Sequence, residues 1–402
     1  MAEVKPSIEA FAKIKVVGVG GGGGSAINRM IESKIKGVDF IAMNTDIQAL
    51  QGSRANKKLH LGKAITRGLG AGMDPEVGRK SAEENENEIR DVLKDSNMVF
   101  VTCGLGGGTG SGASPLVAEI ARDLNALTVA VVTKPFSFEG AQRTDIAERA
   151  HELLSDRVDT VLTIPNDRIL QITDKKVSLV EAFNTVDDVL RQGVQSISEI
   201  ITIPGTTPGS INVDFNDVKT IMRDAGSALM GIGKASGENA AVQAAKDAID
   251  SPLLDVSIEG AKGILLVIKG GLELGMHEIS EAASIITSSA DSNAKVVWGS
   301  IIDPGMKDEV EITVIATGFE MKEKDGERLM GQPSYSPSSF LKSSDVGLGN
   351  GNGNGNNHVP ETPVKEEPKE VEMPDMSSLQ QAPKPTEEEA DIPAFIRRKL
   401  GK

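Results

Sequence analysis

The sequence predicts an α/β protein: an N-terminal doubly wound, Rossmann-like domain, a long central helix, an α+β C-terminal domain, and a disordered C-terminal linker and tail. Three observations carry this reading. Up to Leu170, short continuous apolar runs alternate with helical stretches, the pattern of a parallel sheet covered on both faces. An apolar stripe of helical period then runs through 178–202, and a composition break follows Gly318-Phe319. The boundaries that follow are a flexible segment 1–12, a sheet domain 13–177, the central helix 178–202, a second domain 203–319, a linker 320–390 and a C-terminal peptide 391–402.

Each element can be justified in order. IKVVGVG (14–20) reads as a strand running into glycines, and SAINRMIES (25–33) as the helix after them. VDFIAMNTD (38–46) is a strand, EENENEIRDVL (83–93) a helix, NMVFVTCG (97–104) a strand and SPLVAEIARDLN (114–125) a helix. LTVAVVTKP (127–135), RTDIAERAHELLS (143–155) and VDTVLTIPN (158–166) continue the strand–helix–strand order. In 178–202, Leu179, Phe183, Val186, Leu190, Val194, Ile197 and Ile201 recur every three or four residues. Val180, Ala182, Val189 and Ile200 widen the stripe, which implies contact on more than one side. At 1.5 Å per residue such a helix is roughly 36 Å long, enough to cross a domain. Beyond it come helix 215–225, strand 227–233, helix 238–250, strand 261–269 and helix 277–290. Two strands adjacent in sequence, KVVWGSII and EITVIATGF, close the domain and favour an α+β arrangement. Residues 321–390 hold 8 of the chain's 18 prolines, a GNGNGNGN repeat, and 13 acidic against 7 basic residues. Such a stretch buries too little apolar surface to offset its ordering entropy.

Composition narrows the function. A net charge of −15 in 402 residues argues against non-specific binding to nucleic acid or anionic lipid. Aromatics make up 3%, with Trp298 and Tyr335 the single representatives of their types, too few for base-stacking platforms. The one cysteine, Cys103, excludes an internal disulfide and a cysteine zinc cluster, and it reads as a small packing residue. His60, His151, His277 and His358 are too scattered to suggest a metal site. No stretch reaches the 18 or so apolar residues of a membrane span, so the expected setting is cytoplasmic, without transmembrane insertion.

Two glycine-dense runs carry the chemistry. Gly18, Gly20 and Gly23 satisfy G-x-G-x-x-G between a strand and a helix, the dinucleotide fingerprint, with Asn44 and Asp46 near the end of the next strand. Alone this is weak, since five consecutive glycines satisfy many patterns. GGGTGSG (106–112) follows a second apolar strand and precedes a helix that Pro115 is expected to open. Glycines let successive backbone N–H groups converge on an anion at a helix N-terminus, and Thr109 and Ser111 add hydroxyls. Neither run contains a P-loop lysine, so charge compensation falls to amides, helix dipoles, a bound Mg²⁺ and Arg143. Two cradles on neighbouring strands suit a polyphosphate better than a single pyrophosphate.

GGGTGSG matches the tubulin-type nucleotide signature, and AMNTDIQAL (42–50), GLGAGMDPEVG (68–78), TKPFSFEG (133–140), IPNDRIL (164–170) and NVDFNDV (212–218) follow in order. With these motifs the chain resembles the tubulin/FtsZ family, the tubulin-like GTPases of bacterial cell division, from residue 12 to about 319 and again over 391–402. The resemblance implies binding of GTP and GDP with Mg²⁺ (carried mainly on the phosphates), hydrolysis of GTP, and head-to-tail polymerisation into the mid-cell division ring beneath the inner membrane. Gly20, Gly21, Gly22 and Ser25 would meet the phosphates from the first run, and Gly107, Gly108, Thr109 and Gly110 from the second. Ala71 and Gly72 would approach the γ-phosphate, Glu139 and Arg143 the ribose and phosphate side. Asn166, Phe183 and Asp187 would hold the guanine, while Asn44, Asp46, Gly104 and Pro135 are also assigned to the nucleotide. From its own spacing Asp187 reads equally as a solvated helix position beside Asp188.

The carboxylates that could orient water lie in INVDFNDVKTIM, where Asp214 and Asp217 stand i, i+3 at a helix start. Their bland reading is an N-cap and a first-turn acid. The resemblance implies instead that Asn212, Asp214 and Asp217 of one subunit complete the site of the next in trans. The upstream segment 204–211 is longer than the family's usual one, so a shortened variant is expected to hydrolyse faster at equal polymer levels in a GTPase assay. The tail DIPAFIRRKL, Asp391 to Leu400, resembles the family's peptide for membrane-tethering division proteins. Two other classes remain open on sequence: a structural polymer with little hydrolysis, and an NAD-dependent dehydrogenase using only the first glycine run.

Overall fold

The computed structural model describes residues 12–172, 178–202, 210–254 and 258–319. The N-terminal segment up to residue 11, most of the long 204–211 segment, the 320–390 linker and the 391–402 peptide lie outside the described residues.

The first strands are β1 (Ile14–Val19), β2 (Val38–Asn44), β3 (Lys57–His60), β4 (Met98–Gly104), β5 (Leu127–Lys134) and β6 (Thr160–Pro165). They lie parallel in the order β3-β2-β1-β4-β5-β6. This is the doubly wound order whose direction reverses between β1 and β4, where ligands bind beyond the carboxyl ends of the strands. β7 (Gly226–Ser236), β8 (Gly263–Gly270), β9 (Lys295–Ile302) and β10 (Glu309–Thr317) follow. β7 joins β6 in parallel over Thr160–Leu162, and the sheet continues β7-β10-β8-β9, with β10 antiparallel to both neighbours. The two strands adjacent in sequence, β9 and β10, therefore do not pair; β8 lies between them.

The helices are α1 (Gly20–Glu32), α2 (Ile47–Gly52), α3 (Lys63–Thr66), α4 (Pro75–Glu84), α5 (Glu86–Leu93), α6 (Gly108–Asp123), α7 (Ala141–Ser155) and α8 (Asn166–Ile172). After them come α9 (Leu179–Thr202), α10 (Phe215–Met222), α11 (Ala240–Ile249) and α12 (Met276–Ser288). Continuous apolar strands do lie in a sheet buried on both faces. Val16, Phe100 and Val129 pack with Ile27 and Met30 of α1 on one side, while Val17, Val101 and Ala130 pack with Val117 and Ile120 of α6 on the other. α9 belongs to both halves. Val186, Leu190, Val194, Ile197 and Ile201 share one core with Val16 and Phe100, and with Leu265, Val267, Ile301 and Ile315 of the later strands. Its stripe is narrower at the start than the sequence suggested, for Val180 is 69% exposed and Phe183 43%. Among the described residues no helix is long and apolar enough to cross a membrane.

Local expectations fail where glycine and proline were read as punctuation. Both glycine runs run into helices earlier than expected: Gly20 to Gly24 form the first turns of α1, and α6 starts at Gly108, within the second run. Pro115 is the eighth residue of α6 rather than a first-turn residue; packing of a largely buried helix overrides the loss of one backbone bond. The helix expected over 83–93 breaks at Asn85. The Asn85 side chain accepts from Gly62 N (2.8 Å), far along the chain, and donates to Glu88 (3.0 Å), so it is turned away from the helix at the break. Cys103 is buried against Ser114 and its thiol is pushed up to about 11 by burial, as a packing residue would be.

Candidate functional site

A cavity of about 600 Å³ opens at the carboxyl ends of β1, β4, β5 and β6, at the switch point that this strand order creates. Its size is that of a small-molecule site. Two helices begin there, and neither has a side-chain cap: α1 follows Val19 and α6 follows Gly107. Their first backbone N–H groups are thus left for a ligand, and each helix start carries partial positive charge. By contrast α2, α4 and α10 are capped by Asp46, Asp74 and Asp214.

The glycines divide into two kinds. A Cβ on Gly18 would lie 2.4 Å from the Gly23 carbonyl oxygen, and one on Gly23 would lie 2.4 Å from that of Thr102. These two let α1 start against the bare backbone of β1 and β4. A Cβ on Gly21, Gly72 or Gly107 would meet nothing within 4 Å, and all three line the cavity. Gly23→Ala is therefore expected to cost about 1–3 kcal/mol by overpacking, seen as a fall of several degrees in thermal midpoint. Gly21→Ala should leave the midpoint in place and weaken nucleotide binding instead. Equal midpoints for the two variants would overturn the distinction.

Of the residues assigned to the nucleotide, Gly21, Gly22, Asn44, Asp46, Ala71, Gly72, Gly104, Gly107, Gly108, Thr109, Gly110, Pro135, Glu139, Arg143, Asn166, Phe183 and Asp187 all line the cavity. Gly20 and Ser25 do not. Gly20 takes φ +74° with its Cα facing Gly110, and Ser25 is exposed on α1. Sequence reasoning missed Val19, Ala49, Gly70, Met73, Leu105, Thr133, Val186 and Leu190 in the same lining. Val19 and Thr133 could have been found from the rule that ligands meet strand carboxyl ends.

The wall contributed by α9 is the most informative. Phe183 meets Phe136 edge to face at 5.5 Å, and Phe136 stacks on Phe138 at 5.0 Å. Phe183 thereby offers a supported aromatic face to a planar ligand. One turn on, Asp187 is pushed up to about 6 by burial, which outweighs the opposing charge of Arg29. Asp188 is engaged elsewhere: Arg191 donates at 2.7 Å, Gln192 at 2.7 Å, and Arg29 lies at 3.9 Å. Burial opposes its charge, but these partners hold its carboxyl below the usual range. Asp187 is thus half-buried in the cavity lining, whereas its neighbour Asp188 is held by partners on and beside the helix. Opposite, Asn166 is 5% exposed and its Oδ1 has no partner, an acceptor left for a ligand donor.

The remaining charged groups are partly committed. Asp46 accepts from Gln48 N (2.8 Å) and Ala49 N (3.1 Å), and Asn44 accepts from Asp46 N (3.2 Å). Glu139 accepts from Phe136 N at 3.0 Å and pairs with Arg143. The lining holds one arginine against the carboxylates of Asp46, Glu139 and Asp187, so an anionic ligand must bring or recruit a cation. Among the described residues no three His, Cys, Asp or Glu side chains converge to hold a metal ion.

The acidic residues lie far off. Asn212, Asp214 and Asp217 are exposed; Asp214 caps α10 through Asn216 N (2.9 Å). Val213 N donates to Ile200 O at 3.3 Å, and Ile211 exchanges both backbone bonds with Ser300. From Asp187 in the cavity to Ile200 is thirteen helical residues, about 20 Å. A second path agrees: the Met222 carbonyl at the end of α10 accepts from Thr160 at the start of β6, whereas the cavity lies at its other end. One chain therefore carries the cavity and the acidic loop at opposite ends of the sheet.

Residues 13–174 match the GTPase domain of the tubulin/FtsZ family, and residues 226–320 the C-terminal domain of the FtsZ family. Among solved structures, an empty FtsZ dimer from M. jannaschii is 43% identical, with TM-score 0.73, covering 77% of this chain and 89% of that one. CetZ2 from Haloferax volcanii, a GTPγS-bound protofilament, is 21% identical with TM-score 0.66 (77% and 94% covered). CetZ1 from the same organism, a GDP-bound monomer, is 22% identical with TM-score 0.67 (77% and 95% covered); at this identity the two share the fold.

Proposed function

The chain belongs to the tubulin/FtsZ family of GTPases, and from that premise we propose that it binds GTP in the cavity and hydrolyses it between subunits of a head-to-tail filament. The observation that carries the second half is that the cavity and the acidic loop adjoin opposite ends of α9, whose span from Asp187 to Ile200 is roughly 20 Å. A complete site then needs a second copy. Two complementary surfaces at opposite ends of a molecule form a heterologous contact, which propagates into a filament when it does not close.

On this reading the uncapped N–H groups of α1 and α6 hold the phosphates, with Ala71 and Gly72 at the γ-phosphate. Phe183 faces the base, Asp187 accepts from the guanine N1 and N2 donors, and Asn166 supplies its free oxygen. Mg²⁺, held mainly through the phosphates, would supply positive charge that the single lining arginine, already paired with Glu139, does not. Asp214 and Asp217 of the next subunit orient the attacking water, since positioning and charge stabilisation dominate phosphoryl transfer. The setting is the cytoplasmic face of the bacterial division site, with Asp391–Leu400 as the link to membrane-tethering proteins.

Sedimentation with GTP, alongside phosphate release, tests the whole. Polymer and phosphate should both appear above a threshold protein concentration, with turnover per subunit rising sharply there. Turnover independent of concentration would defeat the intersubunit site. Polymer without phosphate would favour a purely structural filament.

A further inference from the structure

We propose that Thr45 is a positioning residue for the terminal phosphate: its buried hydroxyl fixes the proton of the Thr109 hydroxyl toward the cavity and ties that hydroxyl to the 68–74 loop. This rests on the reading of the cavity as a GTP site. Thr45 is 0% exposed and lies between Asn44, the last residue of β2, and Asp46, the N-cap of α2, both of which line the cavity. Its Oγ1 stands 2.6 Å from Oγ1 of Thr109, which does line it.

Only one order of protons suits this pair. Were Thr109 to donate to Thr45, the Thr45 proton would be left buried without an acceptor, for its hydroxyl has no other partner among the described residues. A buried unpaired donor is costly. With Thr45 donating to Thr109, every buried hydrogen is paired and the Thr109 proton points to the cavity, toward an anionic oxygen. A hydroxyl donating to a phosphate oxygen forms a charge-assisted bond, stronger than a neutral one.

The same residue holds the loop opposite. The Thr45 carbonyl accepts from Gly70 N (3.3 Å) and from Thr66 Oγ1 (3.2 Å). Gly108, beside Thr109, sits so close to this loop that a Cβ on it would lie 2.8 Å from Asp74 N and 2.9 Å from Ala71 Cβ. Thr109 is thus at the end of the cavity where Ala71 and Gly72 stand, the γ-phosphate end. The loop it is tied to carries Met73, 39% exposed in the cavity lining, and the neighbouring Leu69, 85% exposed. Loss of the terminal phosphate would therefore be felt at Thr109 and, through Thr45, at the apolar rim.

The test is titration of nucleotide-free protein, below its assembly concentration, with GTP and with GDP. Thr45→Val keeps the side-chain shape and removes the hydroxyl; Thr45→Ser keeps the hydroxyl. The valine variant should lose about three- to tenfold in GTP affinity, because the Thr109 hydroxyl becomes free among its three staggered positions and its bond to phosphate loses cooperative strengthening, with GDP affinity within about twofold and thermal midpoint little changed. The serine variant should match wild type for both nucleotides. Adding Thr45→Val to Thr109→Val should cost nothing further. Equal losses for GTP and GDP, no loss at all, or a serine variant as weak as the valine one would each overturn the assignment. Should the valine variant not fold, Thr45→Ala carries the same comparison. Wild-type protein that binds neither nucleotide would defeat the GTP reading itself, a different result from any of these.

Discussion

Mixing two inactive variants should restore GTP hydrolysis. Asp217→Ala retains the cavity and loses one of the two carboxylates of the acidic loop; its turnover is expected to fall by about 10²-fold or more, the scale of removing a water-positioning or charge-stabilising group, while sedimentation with GTP persists. Gly107→Val does the converse, filling the open space beside the α6 N-terminus and leaving α10 untouched. Neither should release phosphate alone. In an equal mixture, a contact is productive when an intact cavity meets an intact loop, so about a quarter of wild-type turnover should return if copies assemble at random in a heterologous contact. A mixture no more active than its parts would sink the intersubunit site. Phosphate release from Asp217→Ala at the wild-type rate would show that Asp217 has no part in it.

The second large effect concerns the base. Guanine offers two donors, N1–H and the N2 amine, to a carboxylate that can only accept. Asp187→Asn puts a donor where one acceptor was, leaving the guanine amine facing an amine. Xanthine carries a carbonyl at that position and matches Asn. The variant should prefer XTP over GTP, with a change in the ratio on the order of 10³, since a buried polar group left unpaired is rejected strongly. Competition between the two nucleotides for labelled GTP measures it. Unchanged GTP affinity would remove Asp187 from the base site.

The same residue sets a pH dependence with two opposite signs. Its carboxyl titrates near 6 because burial disfavours the charged form. In the proposed binding mode GTP takes the carboxylate form, so affinity should be flat above pH 7 and fall up to tenfold per unit below 6. The free protein behaves conversely. A carboxyl raised above its ordinary value contributes stability that is fully present below the ordinary carboxylate range and lost as pH rises through about 6. Acidification should thus help the free fold through this group while it weakens the ligand, and Asp187→Asn should abolish both trends.

The parts of the fold that were legible in the sequence are those whose burial leaves a simple trace. β1, β4 and β5 are buried nearly throughout, so they read as continuous apolar runs, and α9 shows its core face as a clean helical repeat. The 46–85 stretch left no such trace. α3 has four residues, and β3 is an edge strand whose Lys57 and Lys58 are exposed, too short and too open for any period to emerge. Helix starts were misplaced for another reason. Glycine signals a break by its own preference, but Gly23 sits in α1 because its backbone meets the Thr102 carbonyl too closely for a side chain, a contact distant in sequence. Cavity-lining side chains were legible where motifs named them. Thr45 was not, since a hydroxyl that acts through another hydroxyl leaves no spacing to read.

The length of α9 has a further consequence. Its first turns line the cavity and its last residues pin the acidic loop through Ile200, so the helix serves as a gauge between the two ends of the molecule. Each residue inserted or deleted within it would rotate one end against the other by about 100° and shift it by 1.5 Å. In a head-to-tail array that error would repeat at every contact. On the proposed intersubunit site, an insertion or deletion in α9 is then expected to alter the spacing and twist of the filament as well as its hydrolysis, visible together by electron microscopy and phosphate release.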